Sequence, residues 1–198
     1  MSHYYVNDDS LDSKERIIEY TFRGTKVSLY SDLGVFSKDR VDFGTNVLLN
    51  NLPDFPRGSR ILDVGCGYGI IGIAIAKSCP DVKVDMVDIN QRAVELVKKS
   101  IEHNKVSNVH VYESNLFAVV NQKYDFVITN PPIRAGKIIV HQIIEDSIMV
   151  LNEKGTLWAV IQKKQGAPSF IEKMEEVFGN AEKVCKENGY YVVFSRKN

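Results

Sequence analysis

Arg60-Ile61-Leu62-Asp63-Val64-Gly65-Cys66-Gly67-Tyr68-Gly69-Ile70-Ile71-Gly72-Ile73-Ala74-Ile75 decides how this chain folds. Its first five residues form a run of strand length, apolar except for Arg60 and Asp63. Three glycines at alternate positions follow, and then an apolar helix predicted from Ile70 to Ser78. Glycine tolerates positive φ and lets a ligand touch backbone. A helix that starts there offers unpaired N–H groups and the positive end of its dipole. Open α/β sheets bind ligands at such turns, beyond the C-terminal ends of their strands.

Working outward, short apolar runs alternate with amphipathic stretches. Strands are predicted at Val82 to Val87, Val109 to Tyr112, Tyr124 to Thr129 and Gly155 to Gln162. Helices are predicted at Gln91 to Asn104, Ile138 to Leu151 and Ser169 to Phe178. This alternation implies a parallel sheet with helices on both faces. The tail, Ala181 to Ser195, holds two strands around Asn188-Gly189, a strong hairpin signal. Upstream, Ile17 to Tyr30 reads as a hairpin and residues 40–51 as a helix. The predicted fold is therefore α/β: a doubly wound, mostly parallel, seven-stranded sheet with an antiparallel C-terminal hairpin. Residues 16–58 form a small hairpin-and-helix extension and 59–198 the core of one domain, after a loosely ordered polar segment, 1–15.

Composition narrows the function. With 25 Lys+Arg against 25 Asp+Glu among 198 residues, the chain is no polybasic nucleic-acid binder, although local basic patches remain open. No apolar run approaches the roughly 20 residues of a membrane span. No secretory signal is visible, which makes the cytoplasm the expected compartment. The 3 cysteines are scattered, as are the 4 histidines, so no metal site is expected. HExxH and GxSxG are absent, which removes zincin-type and serine-hydrolase chemistry.

Two constellations carry chemistry. In the first, Asp88 lies 19 residues after Gly69 at a strand end, where a carboxylate can accept hydrogen bonds from both hydroxyls of a ribose. The glycine spacing is GxGxG, not the GxGxxG of dinucleotide sites. Asp63 would bring a carboxylate close to a pyrophosphate, which disfavours a nicotinamide dehydrogenase and suits a cationic ligand. Cys66 reads as a small packing residue of the turn. The bland alternative is a glycine turn chosen for tight packing alone.

In the second, the strand ending at Thr129 runs into Asn130-Pro131-Pro132-Ile133. Proline pairs end strands, and that is the structural alternative. The functional reading starts from the amine. An exocyclic or amide nitrogen is a poor nucleophile and turns positive as it attacks a methyl group. Acceptors aimed at its hydrogens stabilise that charge. Asn130 supplies a side-chain oxygen and Pro131 a carbonyl, both held in a stiff turn.

Asp63 to Gly69, Asp88 and Asn130 to Ile133 together resemble the class I S-adenosylmethionine-dependent methyltransferases. Gly34-Val-Phe-Ser-Lys-Asp-Arg-Val-Asp-Phe-Gly-Thr45 and Asn130-Pro-Pro-Ile-Arg-Ala-Gly-Lys137 look like the "methyltransferase small" domain, which includes bacterial small-subunit ribosomal RNA guanine-N2 methyltransferases. The resemblance implies a Rossmann-like fold, S-adenosylmethionine as cofactor, and RNA, small-subunit ribosomal RNA or its assembling particle, as partner. It further implies that Asp63, Gly65, Cys66, Gly67 and Gly69 line the methionine part of the cofactor. Asp88 holds the ribose, Ile89 packs on adenine, and Asn115 and Leu116 lie at the adenine edge. Asn130, Pro131, Pro132 and Ile133 receive the target amine. Phe36, Phe43, Gly44 and Thr45 belong to a segment covering cofactor and substrate, with Phe36 and Phe43 as candidate stacking partners for a base.

Arg134, Lys137, Lys163 and Lys164 follow strand ends and are candidate RNA contacts. Asp42 either touches a guanine ring edge or caps the local helix. The chain departs from the family pattern at Asn115, where an acid is common, and at Ile133, where an aromatic residue is common outside the guanine-N2 branch. A DNA base, a protein glutamine or a small molecule is the alternative substrate. A cofactor-binding RNA or ribosome assembly factor without turnover is the alternative outside catalysis.

Overall fold

The computed structural model describes residues 14–33, 35, 37 and 39–198. Strands β1 (Arg16–Phe22) and β2 (Thr25–Ser31) pair as an antiparallel hairpin, and helix α1 (Phe43–Asn50) follows. The core then runs β3 (Arg60–Val64), α2 (Ile70–Ser78), β4 (Lys83–Asp88), α3 (Gln91–Asn104), β5 (Val109–Glu113) and β6 (Tyr124–Thr129). It continues through α4 (Lys137–Val150), β7 (Leu151–Gln162), α5 (Ala167–Phe178), β8 (Glu182–Glu187) and β9 (Tyr190–Arg196). Seven of these strands form one sheet in the order β5-β4-β3-β6-β7-β9-β8. β5 to β7 are parallel neighbours, and β9 joins β7 antiparallel. The expected Rossmann-like architecture is therefore the observed one. Among the described residues, no helix is long and apolar enough to cross a membrane.

Successive side chains of a strand point to opposite faces, and here both faces are covered. Ile61, Met86, Ile128, Val160 and Val192 pack with α1, α2, α3 and the β1–β2 hairpin. Their neighbours Leu62, Val87, Val127, Ile161 and Val193 pack with α4 and α5. This explains the near-continuous buried runs of the central strands β3, β6 and β7, whereas the edge strand β8 is largely exposed. The β2 edge is closed by α3: Tyr30 N donates to Ser100 Oγ at 2.8 Å and Ser28 N to Asn104 Oδ1 at 3.1 Å. Backbone groups that would otherwise template aggregation are thereby used.

Several boundaries differ from the reading of the sequence, among them that of α1, which spans Phe43–Asn50 and not 40–51. Helix α5 begins at Ala167, not Ser169, because Pro168 occupies its first turn, where no N–H is needed. Strand β7 begins at Leu151, not Gly155: α4 passes directly into extended backbone, and Leu151 pairs with Tyr124 across a register irregularity. The polar run Asn152-Glu153-Lys154 looks like a loop in sequence, yet Lys154 takes positive φ and donates its N–H to Lys197 O at 2.9 Å. Strand β4 extends to Asp88, so the proposed ribose acceptor is the last residue of its strand. At the far end, Asn188 and Gly189 both have positive φ, as a two-residue turn of the type I′ class requires.

The sheet order positions the site. From β3 the chain moves outward to β4 and β5, then returns to place β6 on the other side of β3. That reversal opens a crevice at the C-terminal ends of β3 and β6. Thr129 Oγ1 donates to Val64 O at 2.9 Å and ties the two strand ends together. Gly65 and Asn130, the residues that follow, are neighbours for this reason.

Candidate active site

A cavity of about 410 Å³ opens at this crevice. Its walls include Gly65, Cys66, Gly67 and Tyr68 from the glycine turn, Asp88 and Ile89 from the end of β4, and Asn115 and Leu116 after β5. Asp42 and Thr45 at the start of α1 and Asn130, Pro131 and Pro132 after β6 complete it. The two sequence constellations thus share one cavity.

The glycine turn is held by backbone bonds. Gly65 N and Cys66 N both donate to Val87 O, at 2.9 and 3.0 Å. Gly65 and Gly67 have φ of 69° and 54°, and a Cβ at either position would meet no atom within 4 Å. The glycines are therefore required by backbone conformation, and the space beside them is left to a ligand. Gly69 differs: a Cβ there would lie 2.8 Å from Val97 Cγ2, so it serves the packing of α2 on α3 and does not line the cavity.

Asp88 accepts from Gly67 N through Oδ2 and from Asn90 N through Oδ1, each at 2.8 Å. Burial raises its pKa, and the N–H donors around it oppose that. A carboxylate offers about four lone-pair sites, so acceptor capacity remains for a ribose hydroxyl. Asn90 in turn caps α3, accepting from Arg92 N and Ala93 N. Ile89 is 39% exposed in the cavity wall, as a surface for an adenine ring requires.

Asp63 corrects an expectation. Its side chain is fully buried and does not line the cavity. Oδ2 accepts from Gly72 N in α2 at 2.9 Å, while Oδ1 has no partner among the described residues. Burial pushes the carboxyl up to about 7. Gly72 is needed for this approach, since a Cβ there would lie 2.2 Å from Met86 Sδ. Cys66 is buried, and burial together with the nearby carboxylates pushes its thiol well above the usual range. It is an inert wall, as expected of a packing residue.

On the opposite wall, Asn130 Nδ2 donates to Thr45 Oγ1 at 2.8 Å and to Asp42 Oδ2 at 3.1 Å. A carboxylate only accepts, so the amide nitrogen must face Asp42. The Asn130 oxygen is then left as an acceptor, and no described residue donates to it. Asp42 also caps α1, accepting from Thr45 N at 3.1 Å. Pro131 O accepts from Ile133 N at 2.9 Å across Pro132, whose φ of −75° and ψ of 79° form an inverse γ-turn. One lone pair of that carbonyl remains. The Tyr68 hydroxyl, buried in the wall, has no partner among the described residues and is a further polar group for a ligand to meet.

Several expected site residues lie elsewhere. Gly44 is buried under the Tyr190 ring, and Phe43 packs against the same ring with centroids 5.5 Å apart; neither lines the cavity. Ile133 closes the γ-turn and packs into the core between the sheet and α4. Arg134 and Lys137 are exposed around the turn into α4, and Lys163 and Lys164 are exposed after β7, two strands from β3. Phe36 falls outside the described residues. Reading the sequence missed Tyr68, Ala135 and Ile139 as wall residues. Ala135 ends a short 3-10 turn and Ile139 lies in the first turn of α4, with Gly136 at φ 99° between them, so no helical spacing marks the pair in the sequence.

A family model described as "Methyltransferase small domain" matches residues 26–194. The chain belongs to the methyltransferase small domain family. It is 45% identical over 197 residues to the uncharacterized protein YbxB of Bacillus subtilis, covering 98% of each chain. It is 34% identical over 175 residues to ribosomal RNA small subunit methyltransferase C of Psychromonas ingrahamii, covering 86% of this chain and 48% of that protein. Its fold superposes on the T. thermophilus 16S rRNA N2 G1207 methyltransferase (RsmC), whose structure holds AdoMet and guanosine. That match has a TM-score of 0.84 at 24% identity and covers 95% of this chain and 52% of that one. The chain thus spans about half the length of these ribosomal RNA methyltransferases.

The cofactor of this methyltransferase small domain is S-adenosylmethionine. The residues present suit it. The space beside Gly65 and Gly67, the remaining acceptor capacity of Asp88 and the apolar surface of Ile89 and Leu116 are together in one cavity.

Proposed function

We propose that this protein methylates the exocyclic N2 amine of guanine in RNA, with small-subunit ribosomal RNA or its assembling particle as substrate. The reading rests above all on Asn130. Its amide hydrogens are taken by Thr45 and Asp42, and its oxygen is left as an acceptor in the same cavity as the glycine turn. The likeness to ribosomal RNA methyltransferases supports the choice of substrate.

In this reading Asp88 holds the ribose, and Ile89 and Leu116 flank the adenine. Asn130 Oδ1 and the free lone pair of Pro131 O accept the two hydrogens of the target amine. They thereby orient the nitrogen lone pair toward the methyl group. S-adenosylmethionine supplies that methyl: the N–CH3 bond forms as the S–CH3 bond breaks, S-adenosylhomocysteine leaves, and one amine proton passes to solvent. Both oxygens are fixed before the reaction, so positive charge on nitrogen is met without reorganisation. Exposed Arg134, Lys137, Lys163 and Lys164 would meet RNA phosphates around the crevice.

The test is incubation with labelled methyl donor and either unmodified small-subunit RNA or the assembling particle, followed by mass spectrometry of digested nucleosides. N2-methylguanosine is the expected product. Label in glutamine of a protein, or in adenosine, would replace this reading.

A further inference from the structure

We infer that Asp42 is the residue that selects guanine, by accepting the ring N1–H that lies beside the target N2 amine. The inference rests on the guanine-N2 reading and adds a specificity determinant to it. Asp42 lines the cavity together with Asn130. Its Oδ2 is engaged by Thr45 N and by Asn130 Nδ2. No described residue donates to Oδ1, so a charged acceptor is left in the wall next to the Asn130 amide.

This corner of the cavity therefore offers acceptors: Asp42 Oδ1, Asn130 Oδ1 and the second lone pair of Pro131 O. A matching ligand edge must carry donors in a row. Guanine has one, with N1–H adjacent to its N2 amine. Adenine and cytosine set a ring-nitrogen lone pair beside their amine, and that lone pair would be opposed to the carboxylate and left unpaired. A glutamine amide sets a carbonyl oxygen there, with the same conflict. Sites built to pair a polar group reject analogues that lack it far more strongly than apolar pockets reject a change of size. The carboxylate also assists the reaction. Hydrogen-bonded to N1–H, it increases electron density in the ring amidine and lies close to the charge that develops on N2.

A neutral purine tests this directly. 2-Aminopurine keeps the N2 amine and replaces N1–H by a lone pair. Synthetic RNA carrying the mapped target site would be made with guanine or 2-aminopurine at that position, and kcat/KM measured for each. The wild-type protein should prefer guanine by roughly 100-fold, an unpaired-carboxylate penalty for a partly buried group. In Asp42→Asn, whose amide can donate to N1, the preference should fall to within about 10-fold. Asp42→Ser keeps an acceptor for Thr45 N but not the charge, and should also lose preference. Equal wild-type rates on the two RNAs overturn the inference and leave guanine methylation intact. An unchanged ratio in both variants overturns it too, since Asp42 then only positions Asn130. No product on any guanine-bearing RNA removes the proposed function and this inference with it.

Discussion

Asp42 and Asn130, 88 residues apart in the chain, share a hydrogen bond of 3.1 Å. One residue caps a helix of the N-terminal extension and the other follows β6 of the core, so the extension orients the amine acceptor. Thr45 makes the second bond to the same amide, at 2.8 Å. Thr45→Val should let the Asn130 amide rotate and lower kcat roughly 10-fold, the worth of about one such bond. Thr45→Ser should restore most of the rate. Equal turnover of Thr45→Val and wild type in single-turnover assays would mean that Asp42 alone holds the amide. Asn130→Ala should cost roughly 100-fold or more in turnover, with cofactor affinity nearly unchanged.

Asp88 serves the turn and the ligand together. Asp88→Ala should weaken S-adenosylmethionine binding by about 1–3 kcal/mol in calorimetry, through lost hydrogen bonds to ribose and a looser Gly67. Asp88→Asn keeps an acceptor for Gly67 N and should lose less. Unchanged affinity in the alanine variant would exclude Asp88 from the cofactor site.

Gly44→Ala should reverse the usual preference of helices. Alanine in a helix is favoured over glycine by about 1 kcal/mol. Here the added Cβ would lie 2.8 Å from Tyr190 Cε1 and 3.0 Å from Asp42 Oδ2. Overpacking of this kind costs about 1–3 kcal/mol, so the melting temperature should fall, and turnover with it as Asp42 is displaced. In a double-mutant cycle with Tyr190→Ala the stability penalty should shrink. A stabilised Gly44→Ala protein would contradict this packing.

Asp63 should give the fold a measurable pH dependence. Its carboxyl is raised from 3.8 unfolded to about 7 folded, mainly by burial. Between these values the folded state binds a proton that the unfolded state has released. Asp63's contribution is therefore most favourable below the unfolded value and declines as pH rises toward the folded one, by at most about 1.4 kcal/mol per pH unit. Asp63→Asn removes the titration. The stability difference between wild type and variant, from urea midpoints, should thus shift in the variant's favour from about pH 4 to about pH 7. A constant difference would show that Asp63 titrates normally.

The sequence alone determined the sheet-and-helix alternation, since apolar runs of strand length between amphipathic stretches have few other solutions. It also determined the glycine turn, because alternate glycines at a strand exit signal positive φ at Gly65, Gly67 and Gly69. The nearness of Gly65 to Asn130 followed from strand order, once β6 was placed beside β3. Side-chain direction was decided only by the tertiary structure. Asp63 and Asp88 are both acids near one turn, yet Gly72 N buries the first behind α2, while the second remains in the cavity. Phe43 and Gly44 immediately precede Thr45, but the α1–β9 contact turns them onto Tyr190. Asp42 could be read equally as a cap or as a ligand contact, and the fold makes it the cap that also holds Asn130. Local pattern fixes backbone geometry because its forces act over a few residues. The partners of a polar side chain are set by whatever distant segment the fold brings within about 3 Å of it.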